Sequence, residues 1–175
     1  SGDRLAPHDL FAVVTQNAAN NKIDAYLQRS LAYEAVVHPH AGTVEATATV
    51  TLSNEADPTV LPEAVVGSND RGLPLGTNRM FFSVYSPLHL VELRIDGQVV
   101  PHERDVEFGW FTYSTYLEVP PGATVVVQLI LAGRVEPGDA YLLDVPAQPL
   151  VAPDELRIAV SSEVGPGPVA PDGWG

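Results

Sequence analysis

The stretch Leu31–Ser53, LAYEAVVHPHAGTVEATATVTLS, constrains the fold more than any other part of the chain. From Val44 onward the apolar set is Val44, Ala46, Ala48, Val50 and Leu52, and between them stand Thr43, Glu45, Thr47, Thr49, Thr51 and Ser53. Side chains on a strand point alternately to opposite faces, so this segment predicts a strand with one dry and one wet face. Upstream, Leu31, Tyr33, Ala35 and Val37 repeat the rhythm, and the break HPHAG joins the two runs into a hairpin. A sheet that is dry on one side only belongs to an antiparallel β architecture.

The same rhythm recurs downstream. Phe11–Thr15 and Met80–Ser86 predict short strands, and Val91, Leu93 and Ile95 predict another. That last run leads into Asp96-Gly97, a pair suited to a tight turn because both positions take positive φ. Gly109–Val119 and Thr124–Gly133, joined by Pro120-Pro121-Gly122, form a second strong hairpin with Val125, Val127, Leu129 and Leu131 inward. Tyr141–Val145 and Leu156–Val160 complete the set. Ile23, Tyr26 and Leu27 fall at i, i+3 and i+4 behind Asn20 or Asn21, which predicts one short capped helix. Residues 54–79 read as a long irregular loop. About eight strands with regularly spaced turns point to an all-β, two-sheet antiparallel β-sandwich, immunoglobulin-like or fibronectin-like, with one short N-terminal helix. The expected organisation is an N-terminal segment 1–30, a sandwich domain 31–162 and a Pro/Gly-rich tail 163–175.

Composition narrows the functional classes. Acidic residues outnumber basic ones 22 to 9, for a net charge of −13. Such a surface repels phosphate backbones and anionic lipid heads, so no nucleic acid partner is expected. The chain has no cysteine, which excludes disulfides, thiol catalysis and thiolate metal sites. No apolar run reaches the length of a membrane span. The start SGDRL, without Met, reads as an internal edge, which leaves room for a leader or anchor upstream.

Chemistry-bearing motifs are sparse. His38 and His40 flank a proline in VHPHAG, a spacing compatible with two metal ligands on a turn, but no third ligand stands nearby. His102-Glu103 has the same status. Asn54, Asp57, Glu63, Asn69 and Asp70 make the long loop oxygen-rich, although without a calcium-loop spacing. The acidic pairs Asp139/Asp144 and Asp105/Glu107 lack a glycosidase context, and neither a GxSxG elbow nor a phosphate loop occurs. No catalytic residue, metal or cofactor is assigned. The clearest candidate is the strand Gly109–Val119. Phe111, Tyr113, Leu117 and Val119 suit the core, while Trp110, Thr112, Ser114, Tyr116 and Glu118 fall on the other face. Flat rings beside hydroxyls suit stacking on sugars, so Trp110, Thr112, Ser114 and Tyr116 form a candidate glycan-binding face. The alternative is that the two rings pack under the 54–79 loop or a neighbouring domain.

Several segments together resemble one family: VVTQNAANNKIDAYLQRSLAYEA, TATVTLSNEA, GLPLGTNRMFFSVYSPL, IDGQVV and GWFTYSTYLEVPPGATVVVQLILAGRV. They are similar to the C-terminal extracellular β-rich region of an uncharacterised actinobacterial membrane-anchored envelope protein family, a domain of unknown function. The resemblance covers about Leu10 to Val160. It implies a protein anchored in the plasma membrane and facing the cell wall, with a larger domain upstream. It also implies that Asn17, Asn20, Asn21, Lys22 and Asp24 are interdomain contacts, a polar cap on the domain's own surface being the alternative. The resulting expectation is a non-catalytic extracellular structural or interaction module. Its partners would be the upstream domain, another envelope component or a cell-wall glycan. The rival expectations are a carbohydrate-binding module and an enzyme whose site leaves no sequence trace.

Overall fold

A computed structural model of the chain describes residues 8–67, 72–135, 141–148, 153–162 and 165–166. Its elements follow in order: β1 (His8–Leu10), β2 (Ala12–Asn17), a 3₁₀ turn (Ile23–Tyr26), β3 (Leu27–His38), β4 (Thr43–Asn54), a one-turn helix α1 (Glu63–Val66) and β5 (Asn78–Ser86). Then come β6 (His89–Ile95), β7 (Gln98–Val99), β8 (Glu103–Glu107), β9 (Trp110–Val119), β10 (Thr124–Arg134), β11 (Leu142–Asp144), β12 (Glu155–Ser162) and β13 (Gly165–Pro166). The protein is all-β, and no helix among the described residues is long and apolar enough to cross a membrane.

Two main sheets share one core. The larger has seven strands in the order β13-β12-β3-β4-β10-β6-β7, and the smaller has four in the order β2-β5-β9-β8. A two-stranded ribbon, β1-β11, stands beside them. The alternation along β4 is realised in full: Val44, Ala46, Ala48, Val50 and Leu52 are all buried, while the threonines between them face outward. Size is matched across strands. Ala48 sits between Tyr33 and Leu129, and Ala46 lies opposite Leu131, so small residues on β4 make room for large neighbours. Phe82, Val84, Tyr113, Leu117 and Val119 close the core from the smaller sheet. The Tyr113 hydroxyl, buried among them, donates to Leu88 O and accepts from Leu90 N, both at 3.0 Å. A buried phenol needs such partners, and these tie β9 to the start of β6.

Four expectations require correction. The sheet is not purely antiparallel: β12 runs parallel to β3, and β1 parallel to β11. Parallel neighbours need a crossover, and the chain from β10 to β12 provides one. Its end, where β12 begins, is pinned by Arg29, which donates from Nε to Asp154 Oδ1 at 2.8 Å and from Nη2 to Oδ2 at 2.5 Å, with both side chains buried. Second, the short helix is a single 3₁₀ turn, because Leu27 opens β3 with Leu27, Arg29 and Leu31 already facing inward. Third, Val91 does not share a face with Leu93. A bulge opposite Ile130/Leu131 shifts the register, turning Leu90 and Leu93 inward and leaving Val91 exposed. Fourth, the 54–79 stretch is partly built structure, containing α1 and buried Ala56 and Val66.

The N-terminal segment is woven into this framework from Phe11 onward. Its ring lies 4.8 Å from that of Tyr33, and β2 forms one edge of the smaller sheet. The tail 163–175 lies outside the described residues except for Gly165–Pro166, which pairs with β12.

Candidate functional site

The outward face of the smaller sheet gathers four aromatic side chains that the core does not use and sets four carboxylates beside them. On β5 the outward positions are Arg79, Phe81, Ser83 and Tyr85, and on β9 they are Trp110, Thr112, Ser114, Tyr116 and Glu118. On β8 they are Glu103, Asp105 and Glu107. The register sets these in rows: Phe81 faces Tyr116, Ser83 faces Ser114 and then Glu103, Tyr85 faces Thr112 and then Asp105, and Trp110 faces Glu107. Directly opposed side chains in an antiparallel pair interact, so the rows act as units.

At one end the Phe81 and Tyr116 rings meet at 5.1 Å, tilted by 57°. The Arg79 guanidinium lies 4.1 Å over the Tyr116 ring and pairs with Glu118 at 3.4 Å. One face of Tyr116 is therefore covered by a cation. At the other end the Tyr85 hydroxyl donates to Glu107 Oε2 at 2.8 Å. Desolvation and then the Glu107 carboxylate hold the Tyr85 phenol above its usual range. Between the two ends, the Ser83 and Ser114 hydroxyls are buried and share a hydrogen bond of 2.8 Å. Thr112 Oγ1 is buried beside them with no hydrogen-bond partner among the described residues.

The four residues proposed from the sequence thus lie on one face but differ in access. Tyr116 is exposed, Trp110 is half-buried, and Thr112 and Ser114 are buried. The serine and threonine hydroxyls of this face are therefore buried, and the polar groups it offers to solvent are mainly carboxylates beside the tyrosine phenols. Phe81, Tyr85, Glu103 and the placement of Asp105 and Glu107 beside the rings escaped the sequence reading. The usable signal was the repeated pattern on two strands, with aromatic residues at Phe81 and Tyr85 matching Trp110 and Tyr116 on the polar parity. The whole arrangement presents ring surface and hydrogen-bond acceptors.

The N-terminal candidates form a separate cluster. Asn17 donates from Nδ2 to Asn21 O and Oδ1, both at 3.1 Å, and Asn21 Nδ2 donates to Thr77 O at 3.1 Å. Asp24 Oδ1 accepts from Asn78 Nδ2 at 3.0 Å, and Lys22 donates its backbone N–H to Val65 O. Asn20 is exposed, and its carbonyl faces Gly67. Of the oxygen-rich loop, Asn54 is buried and bridges Gly76 O and Val119 O. Asp57 accepts from Thr59 N–H and Oγ1, which holds its carboxyl below the ordinary value. Asn69, Asp70 and Asp139 lie outside the described residues, and Asp144 ends β11. His38 closes β3, His40 lies in the following turn, and the His102 ring stands 5.8 Å edge-on to Tyr113. No group of three or more potential metal ligands converges among the described residues.

No family model and no curated protein matches the chain. Among solved structures, it is similar to a Legionella pneumophila protein described as nutrient-binding, at 7% identity and a TM-score of 0.44. That likeness covers 71% of this chain and 43% of the other. A point variant of an M1 zinc metallopeptidase from Deinococcus radiodurans is similar at 14% identity and a TM-score of 0.40, over 78% of this chain and 32% of the enzyme. The chain spans less than half the length of either protein.

Proposed function

We propose that this domain is a non-catalytic recognition module of a bacterial envelope protein, and that it works through the outward face of the β2-β5-β9-β8 sheet. The observation that carries the reading is the clustering of Phe81, Tyr85, Trp110 and Tyr116 on one sheet face rimmed by carboxylates. Large aromatic residues left outside a core anchor contacts in many recognition surfaces. The outward face of the larger sheet is unlike it, being lined along β4 by Thr43, Glu45, Thr47, Thr49, Thr51 and Ser53. The architecture belongs, in this reading, with immunoglobulin-like and fibronectin-like sandwiches, and the domain sits outside the cell.

The ligand class that the face favours is carbohydrate. Rings stack on the apolar faces of sugars, and carboxylates accept from sugar hydroxyls. The test is co-sedimentation of the purified protein with isolated envelope polysaccharide. Wild type is expected in the pellet, and a Trp110→Ala/Tyr116→Ala variant in the supernatant. Equal partition of the two proteins would overturn the assignment of this face.

A further inference from the structure

We infer that the ligand of this face is a glycan bearing free amino groups, held as the ammonium form between the aromatic residues and the β8 carboxylates. This rests on the carbohydrate reading above and goes beyond it by assigning the ligand's charge. Glu103, Asp105 and Glu107 occupy alternate positions of β8, all exposed and all on the ring side of the sheet. The face has one cation among its described outward residues, Arg79, and that is committed to Tyr116 and Glu118. Arg104, on the same strand as the three carboxylates, is turned away and stacks at 4.4 Å on Phe111. Ionised carboxylates only accept hydrogen bonds, so the rim matches a ligand rich in donors. An ammonium group is such a donor, and it is also attracted by aromatic faces. Polyanionic wall polymers are repelled by the same rim.

A second observation points the same way. Among the described residues the Thr112 hydroxyl has no partner, buried between Tyr85 and Asp105, so the polar row is incomplete. A buried polar group without a partner is costly, and a ligand that reorders the neighbouring side chains can satisfy it. A sugar fits better than a basic peptide. An extended peptide would be expected to add to the free edge of β8, yet the Val106 N–H there is taken at 2.7 Å by the adjacent Asp105 Oδ1.

The experiment is calorimetric titration of the intact chain at about pH 6, below the usual range for amines. The probes are glucosamine oligomers, N-acetylglucosamine oligomers of the same length, galacturonate oligomers and oligolysine. The inference expects glucosamine oligomers to bind about tenfold or more tighter than the acetylated ones, through several weak exposed charge contacts acting together. That margin should shrink with added salt and with Glu103→Gln/Asp105→Asn/Glu107→Gln, while Trp110→Ala weakens both sugars. Equal or tighter binding of acetylated or galacturonate oligomers would overturn the charge assignment and leave the carbohydrate reading standing. Binding of no sugar would overturn both. Oligolysine binding as tightly as glucosamine oligomers, with no effect of Trp110→Ala, would reduce the face to a charge patch and also overturn the inference.

Discussion

The β8–β9 turn offers a substitution whose sign is unusual. Phe108 and Gly109 occupy the two central positions with φ of 52° and 86°, so both are left-handed. Asn-Gly is the ordinary choice for such a turn, and a bulky L-residue with positive φ is an outlier. The left-handed conformation costs an ordinary L-residue roughly 1–2 kcal/mol, much of which asparagine avoids. Against this stands the packing of the ring, which is 93% exposed. An aromatic side chain carries about 200 Å² of surface, so only ~15 Å² is covered, which is worth ~0.4 kcal/mol. Phe108→Asn is therefore expected to stabilise the protein by about 1 kcal/mol. Urea unfolding should show a higher midpoint with an unchanged slope, and the melting temperature should rise by roughly 2–4 °C. Phe108→Val should move the other way, because a β-branched residue tolerates positive φ worst. A Phe108→Asn midpoint equal to or below wild type would show that the left-handed Phe108 carries no such cost.

Three further outcomes follow from buried or crowded sites. Asp154→Ala leaves the Arg29 guanidinium buried without its carboxylate and should cost about 3–5 kcal/mol. Arg29→Met/Asp154→Leu should cost clearly less than the two single changes added together, as read from a denaturation cycle. At Gly67, φ is +75°, and a Cβ would lie 2.1 Å from Asn20 O, so Gly67→Ala should lower stability by about 2 kcal/mol or more in the same assay. Asp9 is held above its ordinary value of 3.8 by burial, offset in part by the hydrogen bond that it accepts from Tyr141. A raised folded-state value means that Asp9's contribution is full at acid pH and is lost as pH rises through that value. Asp9→Asn should therefore gain on wild type as pH rises from about 4 to about 7, whereas parallel melting curves across that range would contradict the assignment.

How far the sequence carried depended on how each residue is used. The β3–β4 and β9–β10 hairpins were readable because one face of each strand meets the core, so burial imposes a period of two. Asp96-Gly97 was readable because its residue types suit the φ values of 49° and 80° that it adopts. Phe108-Gly109 was not, since phenylalanine carries no turn signal. β8, ERDVE, was missed because the whole strand is exposed and leaves no apolar rhythm. The parallel β12–β3 pairing brings Arg29 to Asp154, which are 125 positions apart. Spacing does not record such a contact. For the candidate face, sequence parity was enough to group Trp110 with Tyr116. It did not show that Thr112 and Ser114 are buried, nor that β8 sets its carboxylates beside the rings, because both follow from strand order.

Recognition, as proposed, belongs to the rings and carboxylates of the smaller sheet. Backbone amide NMR, recorded while glucosamine oligomers are added, tests it residue by residue. Shifts are expected to concentrate at Tyr85, Asp105, Glu107, Trp110 and Tyr116, with Thr47, Thr49 and Gln128 on the larger sheet unmoved. Shifts confined to the larger sheet, or a spectrum unchanged at saturating sugar, would contradict it.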